Sequence, residues 1–229
     1  GMTEIELQSE IERVQRQLGS GDVVTGGAMS HTFGVIASGI NSSRFSGPFI
    51  SMSSMGLSNA RPFGASKRRM KRGDLVIVDK GTPFQGYHVD EARTYVIGKA
   101  SDEQRRLFDI IIQMHNACLN AVQPGATTGD VYNAAKKIAI EFDCVEYFMG
   151  YGQYGVEYVG HGVGLEMDEP PLVSPYDNRV LKPGMVLAIE PKLMVPGWGG
   201  VDIEDTVVVT PHGNEPLTQA HRKLVETLL

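Results

Sequence analysis

The sequence has little cysteine, no long hydrophobic run and no extended basic segment. Its 229 residues include two cysteines, Cys118 and Cys144, which lie in separate helical patterns. Since they form neither a disulfide framework nor a Cys-x-x-Cys metal motif, both are expected to be buried free thiols. No apolar stretch approaches the roughly 20 residues that span a bilayer, and there is no charged and apolar leader. The sequence therefore predicts a cytoplasmic protein with no membrane partner.

The charge balance is acidic, and this disfavours polyanionic partners. The net charge of −6 argues against nucleic acid or an anionic membrane surface as the ligand. One basic run, SKRRMKR at residues 66–72, is interpreted as a solvated turn. Hydrophobic residues make up 41% of the chain and charged residues 21%, as in ordinary globular proteins. The length suffices for one large α/β domain or two small ones.

Apolar spacing predicts three helices, over residues 3–18 with Thr3 as the N-cap, and near 102–122 and 128–142. A short strand, FGVIAS, and a long loop rich in glycine, serine and methionine lie between the first helix and the first hairpin. Loops of that length in compact domains are usually functional or mobile. Residues 146–210 are predicted to form strands and turns, and a short helix is expected to end the chain.

Two segments of the chain share one plan, GDLVIVDKG…YHVDEARTYVIG and GMVLAIEPK…GVDIEDTVVVT. In each, a glycine begins an apolar strand and an acidic residue follows six positions later. A turn containing glycine then leads to a second acidic residue, which introduces a β-branched return strand. This near-repeat suggests two related halves. The four acids are Asp79, Asp90, Glu190 and Glu204.

These four acids lie where a core is expected. Residues two apart in a strand share a face, so each acid stands beside apolar side chains. An unpaired buried carboxylate costs several kcal/mol, and Arg93 could pair with one of the four but not with all. Two divalent cations about 3.5–4 Å apart would balance the four charges if the hairpins face each other. Ordinary acids at strand ends are the better interpretation of one hairpin alone, whereas two matching hairpins favour the metal.

A fifth ligand is available in the segment GHGVGLEMDEPP. His161 is flanked by glycines, which permit close backbone approach, and its segment leads toward the second acidic hairpin. A lone histidine is more often structural than a ligand, but its position here favours a metal. Four carboxylates and one imidazole suit Mn²⁺, Fe²⁺ or Co²⁺ and allow Zn²⁺.

Three segments, in order, resemble the M24 metallopeptidases, the group of methionine aminopeptidases, prolidases and Xaa-Pro aminopeptidases. VDKGTPFQGYHVDEART is similar to the D-x-G…GY-x-x-D-x-x-R-T hairpin of the group. GHGVGLEMDEPP resembles its GHG-[IV]-GL-x-x-HE-x-P segment, and AIEPKLMVPGWGGVDIED resembles its IEP…GG-x-x-IED segment. The resemblance implies an α+β, pita-bread fold, with two pseudo-symmetric halves of curved antiparallel sheet and helices on the outer face. It also implies one catalytic domain over residues 3–229, a domain that in prolidase-like members follows a further N-terminal domain.

The resemblance assigns roles to particular residues. It implies a dinuclear centre of two divalent ions (Mn, Co, Fe or Zn) and often a homodimer. Glu190 is implied as the proton acceptor, with His161 and Asp168 as further catalytic residues. The implied metal ligands are Asp79, Asp90, His161, Glu190 and Glu204.

The residues expected around the substrate depart from the family pattern. Asp168 replaces the histidine of HE-x-P, and Ser46 stands near the place of a second histidine. Asp202 replaces an arginine that helps to hold the substrate, and Lys192 replaces a small residue. Loss of a histidine donor would cost about 10²–10⁴-fold in rate unless another group substitutes. The predicted substrate-binding residues are Ser46, Tyr87, His88, Lys192 and Asp202, with His31 as a further candidate donor.

Three functions are compatible with these features. The favoured one is hydrolysis of a peptide or other amide bond, similar to the Xaa-Pro dipeptidases and aminopeptidases but with altered specificity. A creatinase-like C–N hydrolase acting on a small non-peptide substrate is the alternative, but such enzymes lack the metal-binding acids. A catalytically weak binding module is disfavoured as well, because a decayed site has no reason to retain four costly carboxylates.

Overall fold

The computed structural model of the protein describes residues 1–20, 34–44, 52–60 and 62–227. Within these ranges the chain forms three α-helices and eleven strands. The helices are α1 (Glu4–Gln17), α2 (Asp102–Ala121) and α3 (Thr128–Glu141). The strands are β1 (Val35–Ser38), β2 (Leu75–Phe84), β3 (Tyr87–Ile97), β4 (Gly160–Gly162), β5 (Glu169–Leu172), β6 (Val186–Ile189), β7 (Lys192–Val195), β8 (Gly199–Asp202), β9 (Asp205–Thr210), β10 (Gly213–Pro216) and β11 (Val225–Thr227).

The strands form two main sheets and one small ladder. One sheet has the order β1-β2-β3-β11, the other has the order β10-β9-β6-β4-β5, and β7 pairs with β8. Every pairing between these strands is antiparallel except that of β11 with β3. One hydrophobic core joins α2 and α3 to strands of both sheets. The α+β architecture and the antiparallel hairpins that were predicted from the sequence are therefore confirmed.

Each helix begins at a capping box, in which an N-cap side chain and a residue three positions later satisfy each other's backbone N–H groups. The reciprocal pairs are Thr3 with Glu6, Ser101 with Gln104, and Thr127 with Asp130. These local signals explain why the predicted helices were found within about one residue of their expected bounds. None of the helices in the described ranges has the length and apolar character needed to cross a bilayer.

The predicted C-terminal helix is wrong. Val225–Thr227 forms β11, which lies parallel to residues 95–97 of β3. A short segment with few apolar residues cannot stabilise a helix by packing, whereas the free edge of β3 offers unpaired backbone groups. The described part of FGVIAS is β1, as predicted, and both cysteines are buried free thiols.

A buried carboxylate attaches α1 to the sheet. Glu4 is fully buried, and its oxygens accept hydrogen bonds from the backbone and side chain of Ser38 at 2.8 and 2.7 Å. They also accept from Asn41 Nδ2 at 3.1 Å and from the backbone and side chain of Ser66 at 3.0 and 2.6 Å. These neutral donors join the start of α1 to the end of β1, to Asn41 and to Ser66.

We expect Glu4→Gln to destabilise the fold. The amide turns one acceptor oxygen into a donor that faces other donors, which should lower the free energy of unfolding by about 1–3 kcal/mol. The measurement is the urea midpoint followed by circular dichroism. Glu10→Gln is the matched control, because this exposed carboxylate pairs only with Arg13 among the described residues. Equal shifts for the two variants would contradict the anchoring role of Glu4.

Candidate metal centre

The hairpin of β2 and β3 places two carboxylates on one face. Asp79 stands opposite Ala92, and Gly81 stands opposite Asp90. Both acids therefore point to the same side of the sheet, as the alternation of the sequence predicted. Gly81 lets the Met167 side chain pack against this face, because a Cβ added at Gly81 would lie 2.0 Å from the sulfur of Met167.

The second half presents its acids in the same way. The β6–β9 ladder ends at residue 189 and the β7–β8 ladder begins at residue 192, in one shared antiparallel register. Glu190 and Glu204 consequently stand opposite each other in the short interval between the two ladders. Lys192 and Asp202 form the next pair on that face, since each lies two residues from one of the acids.

Neutral hydrogen bonds join the two halves at the return strands. The Glu204 N–H donates to a backbone carbonyl of β3 at 3.1 Å. Asp90 N–H donates to the Thr206 hydroxyl at 2.9 Å, and that hydroxyl donates to the Asp90 carbonyl at 2.8 Å. Thr94 makes the same reciprocal pair with the backbone of Asp202, at 2.7 and 2.9 Å. The two threonines thus hold the acid-bearing strands together without using the carboxylates.

His161 enters the site from the short strand β4, between β6 and β5. A Cβ on Gly160 would lie 2.1 Å from the Ala188 carbonyl oxygen, and one on Gly162 would lie 2.6 Å from that of Glu169. The flanking glycines therefore let three strands approach closely around the ring. His161 Nδ1 lies 3.0 Å from the Gly162 carbonyl oxygen, which only accepts hydrogen bonds. Nδ1 therefore donates to this carbonyl, and Nε2 faces the carboxylates of Asp168 and Glu190.

Three of the predicted ligands converge. Ligand atoms of Asp90, His161 and Glu204 lie within 4.8 Å of one another, and all three residues are buried. His161 Nε2 is also 3.5 Å from Glu190 Oε1 and 3.2 Å from Asp168 Oδ1. The buried Glu204 Oε2 has no hydrogen-bond partner among the described residues. Carboxylate oxygens and one imidazole around an unsatisfied buried oxygen fit a divalent transition-metal ion.

The electrostatics of the acids support the same conclusion. Burial raises the pKa of Asp90 well above its usual range, and the charges of Asp79 and Glu190 raise it further. Burial, followed by the charge of Asp90, does the same to the pKa of Glu204. The pKa of Glu190 is instead lowered, because Lys192 and His161 outweigh the effect of burial. The site therefore holds more negative charge than its own cations offset, and a divalent ion would stabilise the ionised forms.

A buried lysine contacts the two remaining predicted ligands. Lys192 Nζ donates a short hydrogen bond to Glu190 and lies 3.7 Å from Asp79 Oδ2. It also lies 3.5 Å from Asp202 Oδ2. Burial lowers the pKa of Lys192, but these carboxylates raise it well above its usual range. Asp79 and Glu190 thus lie beside the ammonium, and Glu190 also lies close to His161.

Known proteins share the sequence family and the fold of this chain. The family model of metallopeptidase family M24 matches residues 1–211. The chain belongs to metallopeptidase family M24. It is 41% identical over 168 residues to the Xaa-Pro dipeptidase of Pyrococcus furiosus, an alignment that covers 73% of this chain and 46% of that protein. The Xaa-Pro dipeptidase of Pyrococcus horikoshii is 40% identical over 171 residues, with 74% and 47% covered.

Solved structures give the same result for the fold. The prolidase of Pyrococcus horikoshii superposes with a TM-score of 0.82 and 33% identity, covering 98% of this chain and 56% of that one. The X-Pro aminopeptidase of Thermotoga maritima gives 0.83 and 27%, covering 99% and 55%. These likenesses confirm the predicted pita-bread fold. The M24 chain described here spans about half the length of the curated relatives it matches.

The predicted substrate-binding residues have different positions in this M24 chain. His88 is buried, with Nδ1 3.3 Å from the Gly164 carbonyl oxygen, whereas Tyr87 is 66% exposed at the hairpin tip. Ser46 and His31 lie outside the described residues. Lys192 and Asp202 are buried beside the acids, as described above.

One residue near the site was missed by the sequence analysis. Tyr158 is partly buried, and burial together with the charge of Glu190 raises the pKa of its phenol. The charges of Lys192 and Asp168 also act on it, which makes it a neighbour of the reacting region. Tyr158 could have been found from its position three residues before His161. It lies outside the family motif, which begins at Gly160.

Arg93, considered from the sequence as a partner for one of the four acids, does not pair with any of them among the contacts described. It lies an odd number of residues from Asp90 and therefore points to the opposite face of β3. Its guanidinium donates to Asp205 Oδ1 at 2.7 Å and lies 2.8 Å from Glu91 Oε1. Asp205 also accepts from Arg222 at 2.5 Å. The strand that follows Glu204 is thus fixed by a separate ionic network.

His115 of α2 completes this network and should make stability depend on pH. Its Nε2 lies 3.2 Å from Asp205 Oδ2, and burial lowers the pKa of His115 to about 4. The unfolded chain, with a histidine pKa near 6.5, binds this proton first as the pH falls. The contribution to stability is therefore complete above about pH 6.5 and is lost as the pH falls toward about 4, at up to about 1.4 kcal/mol per pH unit.

We expect His115→Asn to flatten the dependence of unfolding free energy on pH in this window. Urea titrations at several pH values between about 4 and 7.5 measure it. His212→Asn, at an exposed histidine, is the control and should retain the pH dependence of the parent chain. If the parent chain and the His115 variant lose stability equally on acidification, the buried histidine is not responsible.

Proposed function

We propose that this chain catalyses the divalent-metal-dependent hydrolysis of a peptide or amide bond, as an enzyme similar to the Xaa-Pro dipeptidases and aminopeptidases. The observation that carries this proposal is the convergence of Asp90, His161 and Glu204, drawn from three separated segments, within 4.8 Å. The relatives are named as an Xaa-Pro dipeptidase, a prolidase and an X-Pro aminopeptidase, which gives the class of reaction. The cytoplasmic location and the homodimer stay predictions.

Each residue of the site then has a definable task. A bound divalent ion supplies Lewis-acid polarisation of the scissile carbonyl and activation of water. Asp90, His161 and Glu204 would hold that ion, with Mn²⁺, Co²⁺, Fe²⁺ or Zn²⁺ as candidates for this donor set. Glu190 has a lowered pKa and an oxygen 3.5 Å from His161 Nε2, so it is ionised near neutral pH and stands beside the reacting region. It is our candidate for the group that accepts the proton of the attacking water.

Asp168 is the candidate for the opposite task, donation to the developing oxyanion. It occupies the position where the family segment has histidine, and its Oδ1 lies 3.2 Å from His161 Nε2. Partial burial raises the pKa of Asp168, which increases the protonated fraction that a donor requires. Its side chain is 42% exposed, however, so an acid at this position is a poorer donor near neutral pH than a histidine.

We expect Asp168→His to raise kcat by about 10²-fold, because a histidine N–H restores general-acid and oxyanion donation. The measurement is steady-state hydrolysis by the metal-loaded protein, with metal content checked for each variant. Asp168→Ala is the control, since it removes the carboxylate without adding a donor and should not raise kcat. An unchanged or lower kcat for the fully loaded histidine variant would remove Asp168 from the proposed role.

The charges around the site also bear on the substrate. Asp202 is fully buried where the family segment has an arginine that helps to hold the substrate, and Asp168 adds a further acid. A free substrate carboxylate would find acidic side chains in place of the guanidinium and would therefore lose its ion pair, which is unfavourable in a site of low polarity. A substrate whose C-terminal end is uncharged or basic is therefore favoured.

We expect an Xaa-Pro amide to be cleaved with a kcat/KM at least about tenfold higher than that of the matching Xaa-Pro dipeptide. The pair differs only in the C-terminal charge, so the ratio isolates the effect of that charge. Asp202→Arg should raise kcat/KM for the dipeptide and so lower the ratio of the amide value to the dipeptide value. Asp202→Asn should lower this ratio by a smaller amount. Efficient dipeptide cleavage that Asp202→Arg leaves unchanged is the result that this specificity does not allow.

The other hypotheses from the sequence have less support. A creatinase-like C–N hydrolase is not favoured, since the relatives reported above are named as peptidases. A binding module would take up metal without turning over any substrate. Metal analysis together with an activity screen on Xaa-Pro, N-terminal methionine and small-amide substrates separates these functions, with metal-dependent turnover as the expected result.

A further inference from the structure

Lys192 is buried at a position where the family segment has a small residue, and it is surrounded by acids. Its side chain stands opposite Asp202 in the β7–β8 ladder. The ammonium donates to Glu190, and Asp202 Oδ2 and Asp79 Oδ2 lie 3.5 and 3.7 Å from it. An ammonium has three N–H donors, and three carboxylates are within reach. Lys192 is therefore an internal cation and not a surface residue that happens to approach the site.

The same contacts separate the predicted ligands into two sets. Asp90, His161 and Glu204 converge within 4.8 Å. Lys192 makes no ion pair with Asp90 or Glu204 among the described contacts, although its charge acts on both carboxylates from a greater distance. Asp79 and Glu190, which the family resemblance assigns to the metals, face the ammonium instead. A dinuclear centre needs two divalent ions about 3.5–4 Å apart in this small volume. A positive charge already in contact with two of the ligands opposes the second ion, both by repulsion and by occupying space.

The number of charges at the site would also allow one arrangement with two divalent ions. Lys192 could neutralise Asp202 alone, which would leave four carboxylates for two divalent ions. The contacts disagree with that arrangement, because the hydrogen bond of the ammonium goes to Glu190, while Asp202 Oδ2 is 3.5 Å away. The ammonium also lies at nearly the same distance from Asp79 as from Asp202. Its charge is shared with the presumed ligands and is not reserved for its cross-strand partner.

We infer that Lys192 takes the place of a second cation, so that the centre holds one divalent ion, bound by Asp90, His161 and Glu204. The inference rests on the proposed metal-dependent function and goes further by fixing the number of ions. Asp79 and Glu190 then pair with the ammonium, and Lys192 acts as a positioning residue that holds Glu190 beside the reacting region. This proposal of one ion and one ammonium differs from the two ions that the sequence predicts.

Metal stoichiometry tests this directly and does not depend on activity. The full chain is stripped with a chelator and dialysed against Mn²⁺, and bound manganese is measured by plasma mass spectrometry, with electron paramagnetic resonance on the same samples. The parent chain should bind one equivalent and give the spectrum of an isolated Mn²⁺ ion. Lys192→Ala should bind two equivalents and give the spectrum of an exchange-coupled pair.

Three further variants separate the effect of the Lys192 charge from other effects of the substitution. Lys192→Ala leaves Asp202 buried without its cation, so Lys192→Ala combined with Asp202→Asn removes both charges and should also bind two equivalents. Lys80→Ala is the matched control, because Lys80 is likewise buried but its Nζ lies 3.7 Å from Glu12 of α1. That variant should remain at one equivalent, as should Lys192→Arg, which keeps the positive charge.

The number of bound ions distinguishes a failure of this inference from a failure of the proposed function. Two equivalents in the parent chain would overturn the inference while supporting a metal-dependent enzyme. One equivalent in the parent chain and also in both charge-removing variants would overturn it too, since Lys192 would not limit the count. No bound metal in any variant would overturn the proposed function and the inference together.

Discussion

The crowding of carboxylates between two hairpins is the constraint on which the rest of the structure depends. Asp79 is partly buried in this region, and the other acids that lie on or between its strands are buried: Asp90, Glu190, Asp202 and Glu204. Like charges at such distances repel strongly where water is excluded. The fold must therefore supply both a framework rigid enough to hold them and cations to offset them. Helices α2 and α3, packed on both sheets through one core, provide that framework.

The charged residues of this region lie on two opposite faces of the strands. Thr94 and Thr206 join the halves through neutral hydroxyl bonds to backbone groups, which leaves the carboxylates of that face available to ligands. The next residue after Glu204 is Asp205, which points away and receives Arg93 and Arg222. Adjacent acids on a strand thus have different roles because they lie on opposite faces. One face is fixed by Arg93 and Arg222, and the other carries Lys192 together with the acids of the candidate metal centre.

Much of this could be predicted from the sequence, because the signals were local or carried by motifs. Capping boxes marked the three helices, and strand alternation put Asp79 and Asp90 on one face. The same alternation puts Arg93 on the opposite face of β3 from Asp90, so strand position alone excludes it as a partner of the acids. Strand β11 was missed because its partner lies on a distant edge, which no local pattern of residues 225–227 reveals. The contacts of Lys192 depend on the packing of a flexible side chain and required the structure.

The exchange at positions 192 and 202 changes two properties of the site at once. The small residue and the arginine of the family pattern would give this cross-strand pair a net charge of plus one, directed to a substrate. Lys192 and Asp202 give the same pair a net charge of zero. The positive charge is therefore on β7 at Lys192 rather than on β8 at position 202, and it lies beside Glu190 and Asp79. One ammonium cannot pair with an anionic substrate group while it pairs with these acids. The proposed selectivity for uncharged substrates and the proposed single metal ion therefore have the same electrostatic cause. The two properties should therefore change together whenever the charge at this pair is altered.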